Sequence, residues 1–500
     1  MPHDLIAAVD LGSNSFRLQV GRVIGNQIYS LDSLKEPVRL AAGLDAQRAL
    51  DEPSQARGVE ALARFGERLR GFPADAVRAV ATNTLRVAKN AASFLSRAET
   101  ALGIPIEVIS GREEARLIYL GVAHSLPNPR SQQLVVDIGG GSTEFIIGRN
   151  FAPRHLESLY MGCVGFSLRH FPGGRVDKAS MKAAELAARK EIQTIVHAYR
   201  KTGWEEAVGS SGTAKALVDL LEMNGLSAGG ITADGLDKLT AMLLRAGDAG
   251  RLRLEGLRAD RVPVLPGGLA IMSAVFKEFG LEQMVFSEGA LRLGVLYDLL
   301  GRYHHEDLRE ATVSLFMRRH EVDGEQAARV ARTAMRLLGQ LLPETRDDPD
   351  HPDVLTMSWA ARLHETGVSL AHASYHKHSA YILANADMPG FSRRDQTRLA
   401  RLVLAHRGKL ERVVPELDEA RDWIPIFALR MAALLHRARD DAPEPPVQAG
   451  LLATGFQLRI DADWLAASPL TAAAIDEEIR QWAGIGIELK MRRKHPAGRA

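Results

Sequence analysis

A short pattern that occurs twice, about 127 residues apart, constrains this chain more than any other feature. Leu5-Ile-Ala-Ala-Val-Asp10 runs into Leu11-Gly-Ser-Asn-Ser15 and then Phe16-Arg-Leu-Gln-Val20, whereas Leu134-Val-Val-Asp137 runs into Ile138-Gly-Gly-Gly-Ser-Thr143 and then Glu144-Phe-Ile-Ile147. Each copy reads as strand, acid, Gly/Ser/Thr loop, strand. Glycine lets backbone N–H groups approach an anion, and hydroxyls add donors, so either loop is able to cradle a phosphate while the acid before it holds Mg²⁺. A Walker loop or a dinucleotide fingerprint would pass from the glycine turn into a helix; here a second strand follows. A tight hairpin turn with a surface carboxylate explains either loop taken alone. Two matching loops, each entered through an acid, point instead to two related domains facing each other across a cleft.

Three further segments carry candidate chemistry. Ala207-Val-Gly-Ser-Ser-Gly-Thr213 follows a strand and precedes a helical segment from Lys215 to Met223, so its amides face the same cleft or form a plain turn. Ala79-Val-Ala-Thr-Asn-Thr-Leu-Arg86 lies between the two hairpins. In Val108-Ile-Ser-Gly-Arg-Glu-Glu-Ala-Arg-Leu-Ile-Tyr119 a strand ends at Ser110-Gly111, and Glu113-Glu114 enter the first turn of a helix. Carboxylates favour that end of the helix dipole, and capping alone accounts for one of the two.

Five hundred residues exceed what one hydrophobic core serves, so three or four domains are expected. The first 300 residues mix apolar strand-like runs with amphipathic helices, and residues from about 305 to 440 read as helices, with Ala327, Val330, Ala331, Ala334 and Leu337-Leu338 at helical spacing. The composition changes near Arg302-Tyr-His-His305, and Asp440-Asp-Ala-Pro-Glu-Pro-Pro446 has the character of an exposed linker. Beyond it, Leu451-Leu452, Phe456 to Ile460 and Ile485 to Met491 read as strands and Thr471 to Trp482 as a helix, ending in a solvated Arg492-Arg-Lys-His495 tail.

A net charge of +2 argues against a strong global attraction to nucleic acid or anionic membrane. Cys163, the sole cysteine, excludes an intrachain disulfide and reads as a small buried hydrophobe. The first ten residues form a strand rather than a signal peptide, and no run of about 18 apolar residues lacks a charge, so the expectation is a cytoplasmic protein without a membrane span.

The motifs DLGSNSFRL (10 to 18), ATNTLR (81 to 86), SGREEARLIYLGV (110 to 122), DIGGGSTE (137 to 144), MGCV (161 to 164) and GSSGT (209 to 213) together resemble the exopolyphosphatase/guanosine pentaphosphate phosphatase family. The resemblance continues through PGGLAI (266 to 271), SEGALRLGVLY (287 to 297), LHETG (363 to 367) and HKHSAYIL (376 to 383). It implies an α/β fold of two actin-like domains (residues 1–123 and 124–304) of the sugar kinase/Hsp70/actin superfamily. An all-α HD-like domain (305–440) and a small α+β C-terminal domain (447–500) are expected to follow. It also implies a homodimer, Mg²⁺ and a stimulating monovalent cation such as K⁺.

By match to EEARL the catalytic glutamate is Glu114, and the metal-associated acids fall on Asp137 and Glu144, with Glu114 and, by symmetry with Asp137, Asp10 in the same set. Phosphate contacts fall on Gly12, Ser13, Asn14 and Ser15, on Gly139, Gly140, Gly141, Ser142 and Thr143, on Arg86, and on Gly209, Ser210, Ser211, Gly212 and Thr213. In such a site Glu114 acts as general base on a water while the metal polarises the terminal phosphoryl group.

Gly139-Gly-Gly141, where the pentaphosphate branch often resembles GGAS, together with PGGRVDK (172 to 178) and HKHSAYIL, favours exopolyphosphatase activity on inorganic polyphosphate. Hydrolysis of guanosine pentaphosphate (pppGpp), or both activities in one protein, is the alternative. A nucleotide-driven binding protein of the actin/Hsp70 type and a sugar kinase are more remote readings. In the helical region His364-Glu365 stands where an HD hydrolase needs histidine-aspartate, so no second metal centre is expected, and His372, His376, His378 and His406 read as structural or phosphate-facing. Arg362, Lys377, Arg393, Arg394, Arg398, Arg401 and Arg407 bring basic groups together in sequence, with Lys377, Arg393 and Arg394 as candidate contacts to a long polyphosphate chain.

Overall fold

The computed structural model describes residues 3–25, 27–126, 130–303, 308–413, 420–439 and 444–494. The expected boundary at His304-His305, the linker residues 440–443 and the tail residue His495 lie outside these. The chain separates into two compact units, Met1–Asp307 and Leu308–Ala500.

The first unit contains two sheets of one design. In the first, β1 (Leu5–Leu11), β2 (Phe16–Ile24), β3 (Gln27–Glu36), β4 (Val77–Ala81) and β5 (Ile106–Val108) take the order β3-β2-β1-β4-β5. The second is built from β6 (Gln133–Ile138), β7 (Thr143–Arg149), β8 (Ala152–Leu159), β9 (Glu206–Ser210), β10 (Ile231–Thr232) and β11 (Gln283–Phe286), in the order β8-β7-β6-β9-β11-β10. In each sheet an antiparallel hairpin leads into a meander on one side, and parallel strands follow on the other. The two sheets thus repeat one strand order, as two related domains would. The central strands read as unbroken apolar runs because helices cover both faces; Ile6 to Val9 and Leu134 to Val136 are fully buried.

One helix couples the sheets to the chemistry. Ser110 caps the helix Gly111–Ser125 by accepting a hydrogen bond from the Glu113 N–H at 3.2 Å, which fixes Glu113 and Glu114 in the first turn. That helix crosses Leu291–Tyr303 at backbone contact: a Cβ on Gly121 would stand 2.2 Å from the Ala290 carbonyl oxygen, and one on Gly294 1.7 Å from that of Leu117. The crossing is pinned by a buried ion network in which Arg116 pairs with Glu113 (2.7 Å) and Asp298 (2.5 Å), while Arg78 pairs with Asp298 (2.7 Å) and Glu107 (2.9 Å). Leaving any one of these charges alone in the core would cost several kcal/mol, so the network fixes the register of the helix that carries Glu114. The segment Val262–Phe279 is long and apolar enough to cross a membrane by composition, yet 83% of it is buried in the protein, where it contributes Leu269 to Phe276 to the core of the second sheet.

The second unit begins as helices: Leu308–Arg319, Gly324–Leu341, Pro352–Leu363, Tyr375–Asn385, Arg393–Ala405 and Trp423–Leu435. A sheet of β12 (Val447–Leu452), β13 (Gly455–Asp461) and β14 (Glu488–Lys494) follows, with the helix Pro469–Gly484 before its last strand. Where the sequence suggests a separate C-terminal piece, helices and strands share one core. Phe427 stacks on Phe456 at 4.3 Å, and Trp482 meets both rings edge-on. The contact is long-range, so local periodicity carries no trace of it.

Candidate active site

A cavity of about 450 Å³ in the first unit is bounded by the two hairpin loops, the start of the Glu114 helix and the start of the helix Ser211–Met223. The two loops reach it by the same device. The carbonyl groups of Ser13 and Asn14 accept from the N–H groups of Ala41 and Arg39 (2.9 and 2.8 Å), and those of Gly139 and Gly140 from Cys163 and Val164 (2.9 and 3.0 Å). With their acceptors taken, the loops keep their N–H edge: Gly140 and Gly141 donate to no backbone acceptor among the described residues. The third wall opens with Ser211 in the left-handed region (φ 88°), a costly conformation for serine, held where its hydroxyl accepts from the Thr213 and Ala214 N–H groups.

Four carboxylates lie within electrostatic reach of one another. Burial pushes Asp10 up to about 6, against the nearby Arg292 and Arg17. Burial likewise pushes Asp137 up to about 7; the Ser210 hydroxyl, which donates to it, opposes the shift, and Glu114 and Asp10 add to it. Glu144 is raised well above the ordinary range, first by burial and then by Glu114 and Asp137, although Arg86 and a 2.7 Å hydrogen bond from Ser158 oppose this. Arg86 donates to the Glu114 carboxylate at 2.7 Å and to the Ile109 carbonyl at 3.1 Å, which locks the candidate base in place. The cations are strained in the opposite sense. Burial and then the neighbouring Arg292 lower Arg17 to about 10, burial lowers Arg292, and Arg292 comes only to 3.9 Å of Asp10.

Acids held above their usual range are stabilised by a cation, and crowded buried arginines by an anion. The donor set fits a hard divalent ion. The Asp10 Oδ1 atom is buried with no hydrogen-bond partner among the described residues, and Asp137 lines the same cavity. Among the described residues no three His, Cys, Asp or Glu side chains form a ready cage, as suits Mg²⁺, which binds through one or two carboxylates, waters and substrate phosphates.

At the cavity wall the structure brings together Asp10, Gly12 to Ser15, Glu114, Asp137, Gly139 to Ser142 and Ser211 to Thr213. It turns other candidates elsewhere. Glu144 lies behind the wall, 1% exposed, bonded to Ser158. Thr143 is fully buried and donates to the Met161 carbonyl at 2.5 Å, so its hydroxyl serves the loop rather than a ligand. Gly209 and Ser210 belong to β9, where Ser210 orients Asp137, and Arg86 is engaged with Glu114. In the second unit Lys377, Arg393 and Arg394 are exposed in the first turns of their helices and line no part of that unit's own cavity; Arg362 is paired with Glu310 and Arg398 with Asp353.

Several wall residues escaped sequence reasoning: Arg17, Arg292, Lys35, Arg258 and Arg261, with Lys215 over the Phe286 ring. Arg17 was discoverable, since it stands opposite Asp10 in the β1–β2 register as Glu144 stands opposite Asp137 in β6–β7. The Asn83 amide nitrogen, buried without a partner among the described residues, sits where a Cβ on Gly141 would fall 2.5 Å from the same residue's oxygen.

Residues 20–303 match the family model described as the Ppx/GppA phosphatase family, and residues 308–479 match Ppx/GppA phosphatase, domain III. A guanosine-5'-triphosphate,3'-diphosphate pyrophosphatase of Vibrio cholerae serotype O1 is 37% identical over 489 residues, covering 97% of this chain and 98% of its own. One from Pseudoalteromonas atlantica is 38% identical over 495 residues, 98% and 97% of the two chains. Among solved structures, an exopolyphosphatase from Cytophaga hutchinsonii, 23% identical, superposes with a TM-score of 0.55 over 60% of this chain and 98% of its own. The Ppx/GppA family member of Aquifex aeolicus, 26% identical, gives 0.51 over 60% and 99%.

Proposed function

Because the chain belongs to the Ppx/GppA phosphatase family, we propose that it hydrolyses the terminal 5' phosphoanhydride of guanosine-5'-triphosphate,3'-diphosphate, releasing orthophosphate. The observation that carries this reading is the double imbalance of the cleft. Burial raises the Asp10 and Asp137 carboxyls and lowers the Arg17 and Arg292 guanidinium groups, so acids that a cation would stabilise and arginines that an anion would stabilise line one cavity. A phosphate chain with its divalent ion answers both needs.

Glu114, fixed by Arg86, accepts the proton of a water that attacks the terminal phosphorus. The water oxygen forms the new P–O bond, the bond from the terminal phosphorus to the bridging oxygen breaks, and that oxygen keeps the electron pair on the shortened nucleotide as orthophosphate is released. N–H groups of the first loop, Gly12 to Ser15, and of Gly140 and Gly141 in the second hold the non-bridging oxygens, and Arg17 and Arg292 balance the charge that moves to the leaving group. Asp137 and Asp10 are the residues that would hold Mg²⁺, which when bound neutralises phosphate oxygens and polarises the terminal group.

Two considerations support the nucleotide as substrate. The relatives of that name align over nearly the whole chain, and beyond the hairpins Lys35, Arg258 and Arg261 share Asp260 while Lys215 pairs with Asp219, an excess of positive charge that suits a second anionic group such as the 3'-diphosphate. Inorganic polyphosphate, favoured on sequence alone, becomes the second reading, supported by the same row of cations. Phosphate release from pppGpp and from long polyphosphate, measured in parallel with Mg²⁺, tests the order. We expect kcat/KM at least about tenfold higher for the nucleotide, the margin one well-placed charged contact supplies. The reverse ratio restores polyphosphate, and absence of phosphate release from both removes the hydrolytic reading.

A further inference from the structure

The unit Leu308–Ala500 has a cavity of its own, about 550 Å³, the size of a small-molecule site. Its wall is charged rather than apolar: only Ala433 and Leu434 contribute aliphatic side chains, against five arginines and lysines and three glutamates. Two of the cations are already engaged. Arg430 makes a two-pronged ion pair with Glu478 and donates to the Ala405 and Gly408 carbonyls (2.8 and 2.7 Å), and Arg439 pairs with Glu365 and, at 3.1 Å, with Asp323. Of the glutamates, Glu477 is taken by Arg480.

The remaining three cations, Arg407, Lys409 and Arg437, stand exposed at the rim, and none has a carboxylate partner among the described residues. Arg407 lies over the Tyr375 ring at 5.3 Å and also bonds the Tyr375 side chain, which tethers its head beside the cavity. Cations without a carboxylate partner among the described residues, gathered around one concave polar space, suit an oxyanion better than an apolar ligand, and several charged oxygens, as phosphate carries, engage more of them than one carboxylate does.

The floor adds a second element of recognition. His364 and His406 are buried, with ring centroids 5.0 Å apart, and burial lowers both below the ordinary histidine range, so each is neutral. Their Nδ1–H groups donate to the Ala361 and Val403 carbonyls (2.7 and 2.5 Å), which leaves the Nε2 atoms as acceptors; that of His406 lies 3.4 Å from the Tyr375 hydroxyl. Among the described residues no three His, Cys, Asp or Glu side chains are placed to hold a metal ion together. A rim that donates over a floor that accepts selects an anion that also carries O–H groups.

We propose that this cavity is a second, non-catalytic binding site for a small phosphate anion, in which Arg407, Lys409 and Arg437 hold the charged oxygens. His364 and His406 accept from a protonated phosphate oxygen or a ribose hydroxyl. Both pyrophosphate and the phosphate end of a nucleotide present that chemistry. The inference does not depend on which substrate the first unit hydrolyses.

The test uses the full chain with Glu114→Gln, so that the probe survives, titrated calorimetrically with inorganic pyrophosphate. Two sites per chain are expected. Adding Arg407→Ala with Lys409→Ala should weaken one of them about tenfold or more and leave the other. Hydrogen exchange locates the loss: pyrophosphate should protect residues 405–410 and 433–437 in the parent and not in the variant, while protection of residues 137–143 persists in both. The exposed Arg437→Ala should reproduce the loss by itself. GDP as a second probe separates the sources, because binding about tenfold tighter than pyrophosphate marks a nucleotide site and equal binding a free-phosphate site. Identical isotherms for parent and variants, or no protection at residues 405–410 once residues 137–143 are protected, overturns the proposal.

Discussion

The β1–β2 and β6–β7 hairpins share loop length, sheet position and the way their carbonyl groups are capped, yet they place opposite charges across from their acids. Asp10 faces Arg17; Asp137, at the equivalent register, faces Glu144. Directly opposed residues of an antiparallel pair share a face, so the first acid has a cation beside it and the second another acid. The consequence appears at the opposed residues: Asp137 helps to hold Glu144 well above the ordinary carboxylate range, whereas Arg17 draws down Asp10, which burial pushes up to about 6. Duplication thus made two similar cradles, and one substituted position made them unequal: the first suits the anion, and the second calls for the cation. Glu114 raises both acids and so stands where the two halves meet.

The largest effect should come from the carboxylate common to both. Glu114→Gln is expected to lower hydrolysis roughly 10²-fold or more while substrate binding survives, and near wild-type turnover in single-turnover kinetics would remove this residue from the mechanism. Next come the two acids. Asp137→Asn should raise the Mg²⁺ concentration for half-maximal rate about tenfold, and Asp10→Asn clearly less, because Arg17 and Arg292 already offset part of its charge. Equal shifts in the two titrations would make the hairpins equivalent and sink the comparison. The opposed residues give smaller and opposite changes. Arg17→Ala should raise KM several-fold, on the order of one charge-assisted contact, with the metal titration unmoved, whereas Glu144→Gln should shift the metal titration and leave KM alone.

Much of this was legible in the sequence, and what was not shares one cause. The strands and their glycine loops announced themselves because alternation and turn chemistry are local. Which way a loop hydroxyl faces is not local: Thr143 turns to the Met161 carbonyl and Ser210 to Asp137, although both looked like phosphate donors in a Gly/Ser/Thr run. Arg292 and Arg261 reach the cleft from residues more than 200 positions beyond the first loop, and no spacing rule connects them. The helix that the sequence starts at Lys215 begins at Ser211, because the left-handed φ of that serine makes the turn in which glycine would be usual. In the second unit the helical period of Gly324–Leu341 was plain, while the core that its bundle shares with Phe456 and Trp482 depends on long-range contact.

The smallest effect concerns stability, and its sign separates the hairpins. Both acids have an ordinary value of 3.8, and in the folded, metal-free protein they are raised to about 6 and about 7. Between the unfolded and folded values the native state therefore holds more protons than the unfolded chain, so raising the pH through that window removes stability. For Asp10 the loss is complete near pH 6; for Asp137 it continues to about 7. Buried His364 and His406 act in the opposite direction in the other unit: their lowered values cost stability as the pH falls below the ordinary 6.5, so the two units respond to pH with opposite slopes. Hydrogen exchange of β1 and β6 in metal-free protein follows the first unit alone. Protection there should decline from pH 5 to pH 7.5 by about 4 kcal/mol at most and recover when Mg²⁺ is added. Asp137→Asn should flatten the part of the decline above pH 6, and Asp10→Asn only the part below it. A slope unchanged by Asp137→Asn would mean that this acid is already satisfied in the metal-free protein, and that the second hairpin needs no cation at all.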